Sequence, residues 1–304
     1  MRIPFFAPEP HTHMRISIVT PSFNMLPYLK RCRASVADQA GVKVEHIIAD
    51  GGSSDGTVAW LEAHGLPVGS DARPGDLVPL RYFSGPDAGM YDALNKGFDA
   101  ATGDVVAWLN CDEQYLEGTL RLVMNRFAAE PQLDMLFGGA LLVRPDGSLL
   151  AARKPYPARY AQIATSHLYN LSCAMFFRRR LWEGGLRFDT RLRMLGDHHL
   201  VMRALREGAH TGIVQQPLAV FTFTGANLSW TEQAKQEAAL LRNSAPRWVR
   251  ALKLPLNLLR VFAKALHGGY WHGPVDYAVY SSGEDAARTR HQMKKVPVKW
   301  PKDK

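Results

Sequence analysis

Two acidic clusters follow apolar runs in the first third of the chain. Asp50 ends VEHIIAD and opens the turn sequence GGSSDG, and Asn110, Cys111, Asp112 and Glu113 follow VVAWL. At a strand end, Asp50 can accept hydrogen bonds from a nucleobase or ribose, and Gly51 lets backbone approach a ligand closely. Oxygen ligands such as those of Asn110 and Asp112 suit a hard divalent cation, whose other positions are filled by diphosphate oxygens and water. A plain surface turn is the alternative for the second cluster.

A third polar stretch is SGPDAGMYDALNKG, in which Asp87 precedes a helix. The first turns of that helix carry Asp92, Asn95 and Lys96. Lys96 has the length to reach a diphosphate, and Asn95 can bond a ligand or the backbone. A capped, solvated helix explains each of these residues taken alone.

The fourth cluster is LGDHHL, where Asp197 stands just before an apolar helical face. Its carboxylate either caps the helix or acts as a general base, if it lines a cleft. His198 and His199 cannot face one point from adjacent helical positions, so at least one is structural and no metal site is predicted there.

Alternating strands and helices must position these clusters. Strands are predicted at 15–23, within 44–57, at 81–87 and at 103–110, with helices at 26–39, 58–64 and 90–101 between them. This order with short connections predicts an α/β fold with a doubly wound, mostly parallel sheet and helices on both faces. Ligands of such sheets bind beyond the carboxyl ends of the strands. Three of the four strands end there in polar residues, TPSFN, ADGGSSD and NCDE.

The rest of the chain is less regular. Further predicted elements are a hairpin of 135–143 with 148–153, a strand entering a helix at 171–185, a helix at 195–208, a strand at 215–225 and helices over 231–267. The last 25 residues are polar and basic and are expected to be loosely ordered. The predicted division is a disordered leader at 1–13, a catalytic domain at 14–230 and a basic helical extension at 231–304.

Composition limits the class of protein. The 304 residues are 46% hydrophobic and 21% charged, as in ordinary globular proteins, and the net charge of +9 favours polyanions, anionic membranes or phosphorylated substrates. Nucleic-acid binding is disfavoured because no recognised motif accompanies the charge. Three scattered cysteines without CxxC spacing exclude disulfide and zinc frameworks and favour a reducing cytoplasm. No apolar run approaches the ~20 residues that span a bilayer.

A basic stripe and an apolar stripe run along residues 246–267. The basic stripe contains Arg250, Lys253, Asn257, Arg260 and Lys264, and the apolar stripe contains Leu258, Leu259, Phe262 and Leu266. Such a helix either lies on an anionic membrane surface or docks on the catalytic domain with its basic face in solvent.

In this order, the motifs TPSFN, ADGGSSDGT, SGPDAGMYDALNKG, WLNCDE and FDTRLRMLGDHHLVMRA resemble those of family 2 glycosyltransferases with the GT-A fold, over about residues 14–230. The exopolysaccharide-assembly branch is the most similar. The resemblance implies a nucleotide-diphosphate sugar donor, inversion at the anomeric carbon and a Mg²⁺ or Mn²⁺ ion. It implies that Asp197 is the catalytic base and that Asp112 binds the metal and diphosphate.

The residues expected to bind the donor are Thr20, Pro21, Asp50, Asp87, Asp92, Asn95, Lys96 and Asn110. From the family alone, a UDP-sugar is the first expectation for the donor, and the acceptor is a saccharide or a lipid-linked saccharide. The protein is expected in the cytoplasm, at the inner face of the membrane if 246–267 binds lipid. Two positions depart from the family pattern: many members have paired acids at Asp50–Gly51, and an acid where this chain has Asn110.

Two other functions compete with transfer. A nucleotidyltransferase would need a Gly-rich, basic loop after the first strand, and TPSFNMLPYLK is not one. A homologue that binds nucleotide sugars without turnover is the second alternative, and the presence of both Asp112 and Asp197 argues against it.

Overall fold

The computed structural model describes residues 14–70, 78–224, 231–281 and 287–300. The predicted leader at 1–13 lies outside them. The strands are β1 (Arg15–Ser22), β2 (Lys43–Asp50), β3 (Leu66–Pro67), β4 (Leu80–Ser84), β5 (Val105–Trp108), β6 (Gln114–Tyr115), β7 (Met135–Val143), β8 (Leu149–Arg153), β9 (Met175–Arg178), β10 (Thr211–Thr222), β11 (Val275–Val279) and β12 (Thr289–Met293). The helices are α1 (Leu26–Ala37), α2 (Thr57–His64), α3 (Met90–Asp99), α4 (Thr119–Ala129), α5 (Tyr160–Ala164), α6 (Arg179–Glu183), α7 (Gly196–Arg206), α8 (Glu232–Ser244), α9 (Arg247–Ala251) and α10 (Lys253–Leu266).

The four predicted N-terminal strands form the parallel half of the main sheet, in the order β4-β2-β1-β5. Their register brings the strand ends together, since Ser22 pairs with Asp50 and Asp50 pairs with Ser84. The predicted α/β class with a mostly parallel sheet is therefore confirmed. β4 ends at Ser84, three residues earlier than predicted, so Asp87 belongs to the loop before α3.

Helices cover both faces of this sheet because successive strand residues point to opposite sides. In β5 and the residue after it, Val105, Ala107 and Leu109 pack in the cluster that contains α1 and α4. Val106 and Trp108 pack in the other cluster, with α3 and α7. This alternation buries both faces, which is why the strand reads as a continuous apolar run.

The second half of the sheet is mixed. β9 runs antiparallel between β5 and β7, and β10 runs parallel to β7. β9 and β8 share one edge of β7, because β9 pairs with its first residues and β8 with its last. The predicted hairpin of β7 and β8 is confirmed, and β10 begins four residues earlier than predicted.

The tail is helical through α10, as predicted for 231–267, but the expectation of loose order after it is wrong for residues 287–300. β12 pairs antiparallel with β11. Tyr277 and Val279 of β11 pack on Leu141 and Val143 of the main sheet. Only one face of this hairpin is buried and its other residues are polar, so its composition resembles that of a disordered tail.

One partly buried ion pair ties the start of β12 to the end of α1. The Arg288 guanidinium donates to both carboxylate oxygens of Asp38 at 2.6 and 2.8 Å, and to the Tyr115 carbonyl at 2.9 Å. Its side chain is only 9% exposed. In the part of the chain that the structure describes, no helix is long and apolar enough to cross a membrane.

Replacing Arg288 with methionine should lower the free energy of unfolding by about 2–3 kcal/mol, because it leaves the Asp38 carboxylate partly buried without its cation. Urea denaturation measures this change. Arg290→Met is the matched control, since Arg290 in β12 pairs with Asp276 of β11 in solvent. Equal stability of both variants would contradict the role assigned to Arg288.

Candidate active site

A cleft of about 1850 Å³ opens at the carboxyl ends of the parallel strands. It exceeds the range of roughly 300–1000 Å³ that is usual for a single small-molecule ligand. Part of its lining comes from the end of β1 and from residues after β4 and β5, namely Pro21, Asp87, Asn110 and Asp112. The start of α7 adds Asp197, so the cleft has room for two substrates between these groups.

The turn after β5 aims Asn110 and Asp112 into the cleft and buries Glu113. The Asn110 N–H donates to Oε2 of Glu113 at 2.8 Å, and the Glu113 N–H donates to the Asn110 carbonyl at 2.9 Å. These two bonds close the turn on itself. Asn110 Oδ1 and Glu113 Oε1 are buried with no hydrogen-bond partner. Such oxygens are costly to leave unsatisfied and are available to a ligand.

The carboxylates of the site resist ionisation. Burial raises the pKa of Asp112 to about 6. Burial, followed by the charge of Asp112, raises the pKa of Glu113 well above its ordinary value, and the charge of Asp197 adds to it. Glu113 therefore lies near enough to Asp112 and Asp197 to be affected by both charges, and a cation bound beside Asp112 would offset part of that effect.

The donor set fits a hard divalent cation only if other molecules complete its ligands. No group of three or more His, Cys, Asp or Glu side chains is placed to hold a metal in the described ranges. Asp112 offers one carboxylate to the cleft, and Asn110 offers an amide oxygen. Mg²⁺ commonly binds through one or two carboxylates together with substrate phosphates and water, and this set matches that pattern.

Asp197 lies in the first turn of α7, where its Oδ1 accepts a hydrogen bond from the N–H of His198 at 2.7 Å. Burial raises the pKa of Asp197 to about 6. A carboxylate with this pKa is ionised at neutral pH and is a stronger base than an exposed aspartate.

Glu237, on α8, holds the loop that precedes Asp197. Its carboxylate accepts the N–H groups of Arg193, Met194 and Leu195, each at 2.8–2.9 Å. The Tyr91 hydroxyl donates to the Met194 carbonyl at 3.1 Å. The sequence analysis missed both residues. No local pattern links this loop to Glu237, which is 43 residues after Met194, or to Tyr91, which is 103 residues before Met194.

The two histidines after Asp197 diverge, as predicted. His198 is 3% exposed, and its Nε2 bonds the Ile163 carbonyl at 3.2 Å. Burial lowers the pKa of His198 to about 4. His199 is half-buried and does not line the cleft.

Asp50 shapes the backbone beside the cleft. It is 1% exposed and accepts the N–H groups of Gly52 and Ser53 and the hydroxyls of Ser53 and Ser84. These bonds fold the turn so that Gly51 lines the cleft, where a Cβ atom would stand 2.9 Å from Oδ2 of Asp87. The Asp50 carboxylate itself does not face the cleft, so its predicted direct contact with the donor does not follow from this geometry.

Four other predicted donor-binding residues have partners within the fold and do not line the cleft. Thr20 is buried and shares a hydrogen bond with His46 Nε2 at 2.9 Å, because it points to the face opposite Pro21. Asp92 accepts the Ala88 N–H and pairs with Lys96 at 2.9 Å. Asn95 bonds both backbone groups of Phe188. These contacts stabilise the fold, and the predicted donor contacts of these four residues stay predictions.

Comparison with known proteins agrees with the fold. The family model described as Glycosyl transferase family 2 matches residues 17–185, more than half of the chain. An uncharacterised glycosyltransferase of Mycobacterium tuberculosis is 38% identical over 101 residues, which are 33% of this chain and 34% of that protein. The aligned part thus spans about a third of that relative.

Two solved structures share the fold at low identity. TarS residues 1–349 of S. aureus, in complex with UDP, has a TM-score of 0.60 and 17% identity, covering 85% of this chain and 75% of that one. The mannosyltransferase PcManGT of Pyrobaculum calidifontis, in complex with GDP-Man and Mn²⁺, has a TM-score of 0.56 and 19% identity, covering 87% and 79%. With the family match over the parallel half of the sheet, the chain belongs to glycosyl transferase family 2.

Proposed function

We propose that this protein transfers a sugar, with inversion, from a nucleotide-diphosphate donor to an acceptor hydroxyl in the synthesis of a cell-surface polysaccharide. The observation that carries the proposal is that Asp112 and Asp197 line one cleft, from the end of β5 and the start of α7. The polysaccharide context comes from the resemblance of the motifs to the exopolysaccharide-assembly branch.

Asp197 is the proposed general base. It takes the proton of the acceptor hydroxyl while the acceptor oxygen bonds to the anomeric carbon and the bond from that carbon to the diphosphate breaks. Inversion requires the base and the leaving group to stand on opposite faces of the sugar. Placing the diphosphate beside Asp112 and the acceptor beside Asp197 meets this requirement.

Asp112, with Asn110 beside it, is the proposed holder of a Mg²⁺ or Mn²⁺ ion. When bound, the ion would neutralise charge on the departing diphosphate. Because this chain has Asn110 in place of a second acid, we propose that the site has little affinity for the metal until a nucleotide diphosphate is present.

Pro21, Asp87 and the Gly51 turn supply the remaining wall of the proposed donor site. The S. aureus neighbour was solved with UDP and with UDP-GlcNAc, and the archaeal one with GDP-Man. We propose a UDP-sugar for this chain. The acceptor is proposed to be a lipid-linked saccharide.

A membrane contact through 246–267 is proposed from the exposed face of α10. Leu254, Leu258 and Leu266 are 78%, 71% and 68% exposed, and Phe262 is also exposed. Arg250 and Lys253 lie exposed nearby and suit anionic lipid headgroups. This placement would hold the enzyme at the inner face of the cytoplasmic membrane.

Asp197→Asn should lower turnover by about 10²–10⁴-fold, the usual contribution of a general base, while UDP binding persists. Asparagine keeps the oxygen that accepts the His198 N–H, so the helix start is preserved. A donor screen that measures release of nucleotide diphosphate in the presence of acceptor gives the rate. Glu207→Gln, on the exposed end of the same helix, is the control. Wild-type activity in Asp197→Asn would overturn the assignment.

Because Asp197 works only when ionised, the activity of the wild-type protein at saturating metal should fall as the pH drops through about 6.

Asp112→Asn should abolish the increase in UDP affinity that Mn²⁺ produces and leave the metal-free affinity unchanged. Titration calorimetry with and without Mn²⁺ measures both values. Glu117→Gln removes an exposed acid from the same segment and should retain the metal effect. If Mn²⁺ strengthened UDP binding equally in Asp112→Asn, Asp112 would not be the metal ligand.

The double variant Leu258→Glu, Phe262→Glu should no longer float with anionic liposomes, whereas wild-type protein should. Leu240→Glu introduces one glutamate at an exposed leucine of α8, away from α10, and should leave flotation intact. A wild-type protein that stays unbound, or a double variant that floats as well as wild type, would count against the membrane contact.

A further inference from the structure

Four cations line a part of the cleft that none of the motifs predicted. They come from the end of β8 and from α10, and they are Arg153, Lys154, Arg260 and Lys264. None of the four forms an ion pair with an acid in the ranges that the structure describes. In an unliganded cleft, their charge is therefore not compensated by protein carboxylates.

Neutral groups hold three of these side chains in place. Arg153 donates to the Val298 carbonyl at 3.2 Å and lies over the Trp300 ring at 5.0 Å. Arg260 donates to the Tyr156 hydroxyl at 3.4 Å, and the Lys264 Nζ lies 4.4 Å from the centre of the Tyr270 ring. These contacts orient the cations and leave their charge available to a ligand.

Mutual repulsion shows that the cations lie close together. The pKa of Lys264 is lowered by burial and then by the charges of Arg153 and Arg260. The same three cations, after burial, lower the pKa of His167 to about 4. Partly buried like charges cost free energy, and a bound anion would offset that cost.

The cleft thus has two chemically different ends for anionic groups. At Asp112, the negatively charged carboxylate repels a diphosphate unless a metal ion lies between the two groups. At Arg153, Arg260 and Lys264, a diphosphate can bind directly through charge-assisted hydrogen bonds. A donor and an acceptor that both carry a diphosphate could therefore occupy the cleft together.

The position of two of these cations on α10 indicates the kind of molecule to which the bound diphosphate is attached. Arg260 and Lys264 line the cleft from one flank of this helix, while Leu254, Leu258 and Phe262 are exposed on another. A diphosphate attached to a hydrocarbon chain would place its charge in the cleft and its chain along the apolar flank. A free diphosphate would use only the first of these surfaces.

We propose that Arg153, Arg260 and Lys264 form a metal-independent subsite for the diphosphate that joins the acceptor sugar to a lipid. The subsite rests on the proposed function for its role in transfer, but its ligand chemistry is independent of turnover. Tyr156 and Tyr169, whose rings stack at 4.0 Å in the same lining, offer an aromatic surface for the attached chain or sugar.

Binding of geranyl diphosphate in EDTA tests the subsite without any catalysis. Titration calorimetry should detect binding to wild type and to Asp112→Asn, with inorganic pyrophosphate weaker and uncharged geraniol weaker still. Arg260→Gln and Lys264→Gln should each weaken geranyl diphosphate binding about tenfold, the effect of losing one charge-assisted hydrogen bond. Arg206→Gln, which removes an exposed charge at the end of α7 outside the cleft, should bind like wild type.

Several results would overturn the subsite. Binding that needs a divalent metal and disappears in Asp112→Asn would assign the diphosphate to the acidic end. Equal affinity for inorganic pyrophosphate and geranyl diphosphate would show that the hydrocarbon chain does not contribute to binding, which would contradict a lipid-linked ligand. Unchanged binding in both Arg260→Gln and Lys264→Gln would exclude these cations, provided that UDP binding with Mn²⁺ shows each variant to be folded. If geranyl diphosphate binds as proposed but no donor is turned over, the proposed function fails and the subsite stands.

Discussion

This protein is organised around a cleft whose wall carries two partly buried acids, Asp112 and Asp197, with Glu113 fully buried next to Asp112 in the chain. Asp112, Glu113 and Asp197 all have raised pKa values, caused mainly by burial. A shift of about two units corresponds to roughly 3 kcal/mol that folding must supply to keep such a group ionised at neutral pH. No structural ion pair relieves them in the described residues. The fold thus maintains a locally unfavourable arrangement, which is common at catalytic sites, and the proposed metal would relieve part of it.

The surrounding elements hold the acids in place rather than neutralise them. The turn after β5 is closed by Asn110 and Glu113, and the loop before α7 is fixed by Glu237 through three backbone N–H groups. Glu237 lies on α8, within the segment predicted as a separate extension. A helix beyond the matched family region therefore supports the proposed base directly. The tail also contributes the basic lining of the cleft through α10 and the residues after β12.

The parallel half of the fold could be predicted from sequence because its signals are local. Each strand is an apolar run of ordinary length, and each ends in turn-forming polar residues that parallel pairing brings to one edge. The side-chain directions at those ends could not be predicted. Thr20 and Pro21 are neighbours, yet only Pro21 lines the cleft, because the Thr20 side chain is buried against His46. Asp50 has the residue type expected to bind a nucleotide. Its carboxylate, however, already accepts four hydrogen bonds, three from its own turn and one from Ser84.

Long-range contacts account for what sequence reasoning missed. The β11–β12 hairpin is tied down by the Arg288–Asp38 pair, whose partners are 250 residues apart, and the proposed basic subsite combines residues of β8 and α10 with Lys154. Such pairings leave no local pattern in the sequence.

The central claim is that a donor diphosphate beside Asp112 and an acceptor beside Asp197 stand on opposite faces of the sugar. The stereochemistry of the product tests this claim most directly. Proton NMR of the glycoside made from an α-linked UDP-sugar should show a β linkage. An α-linked product would contradict this account, because it would place attack and departure on the same face.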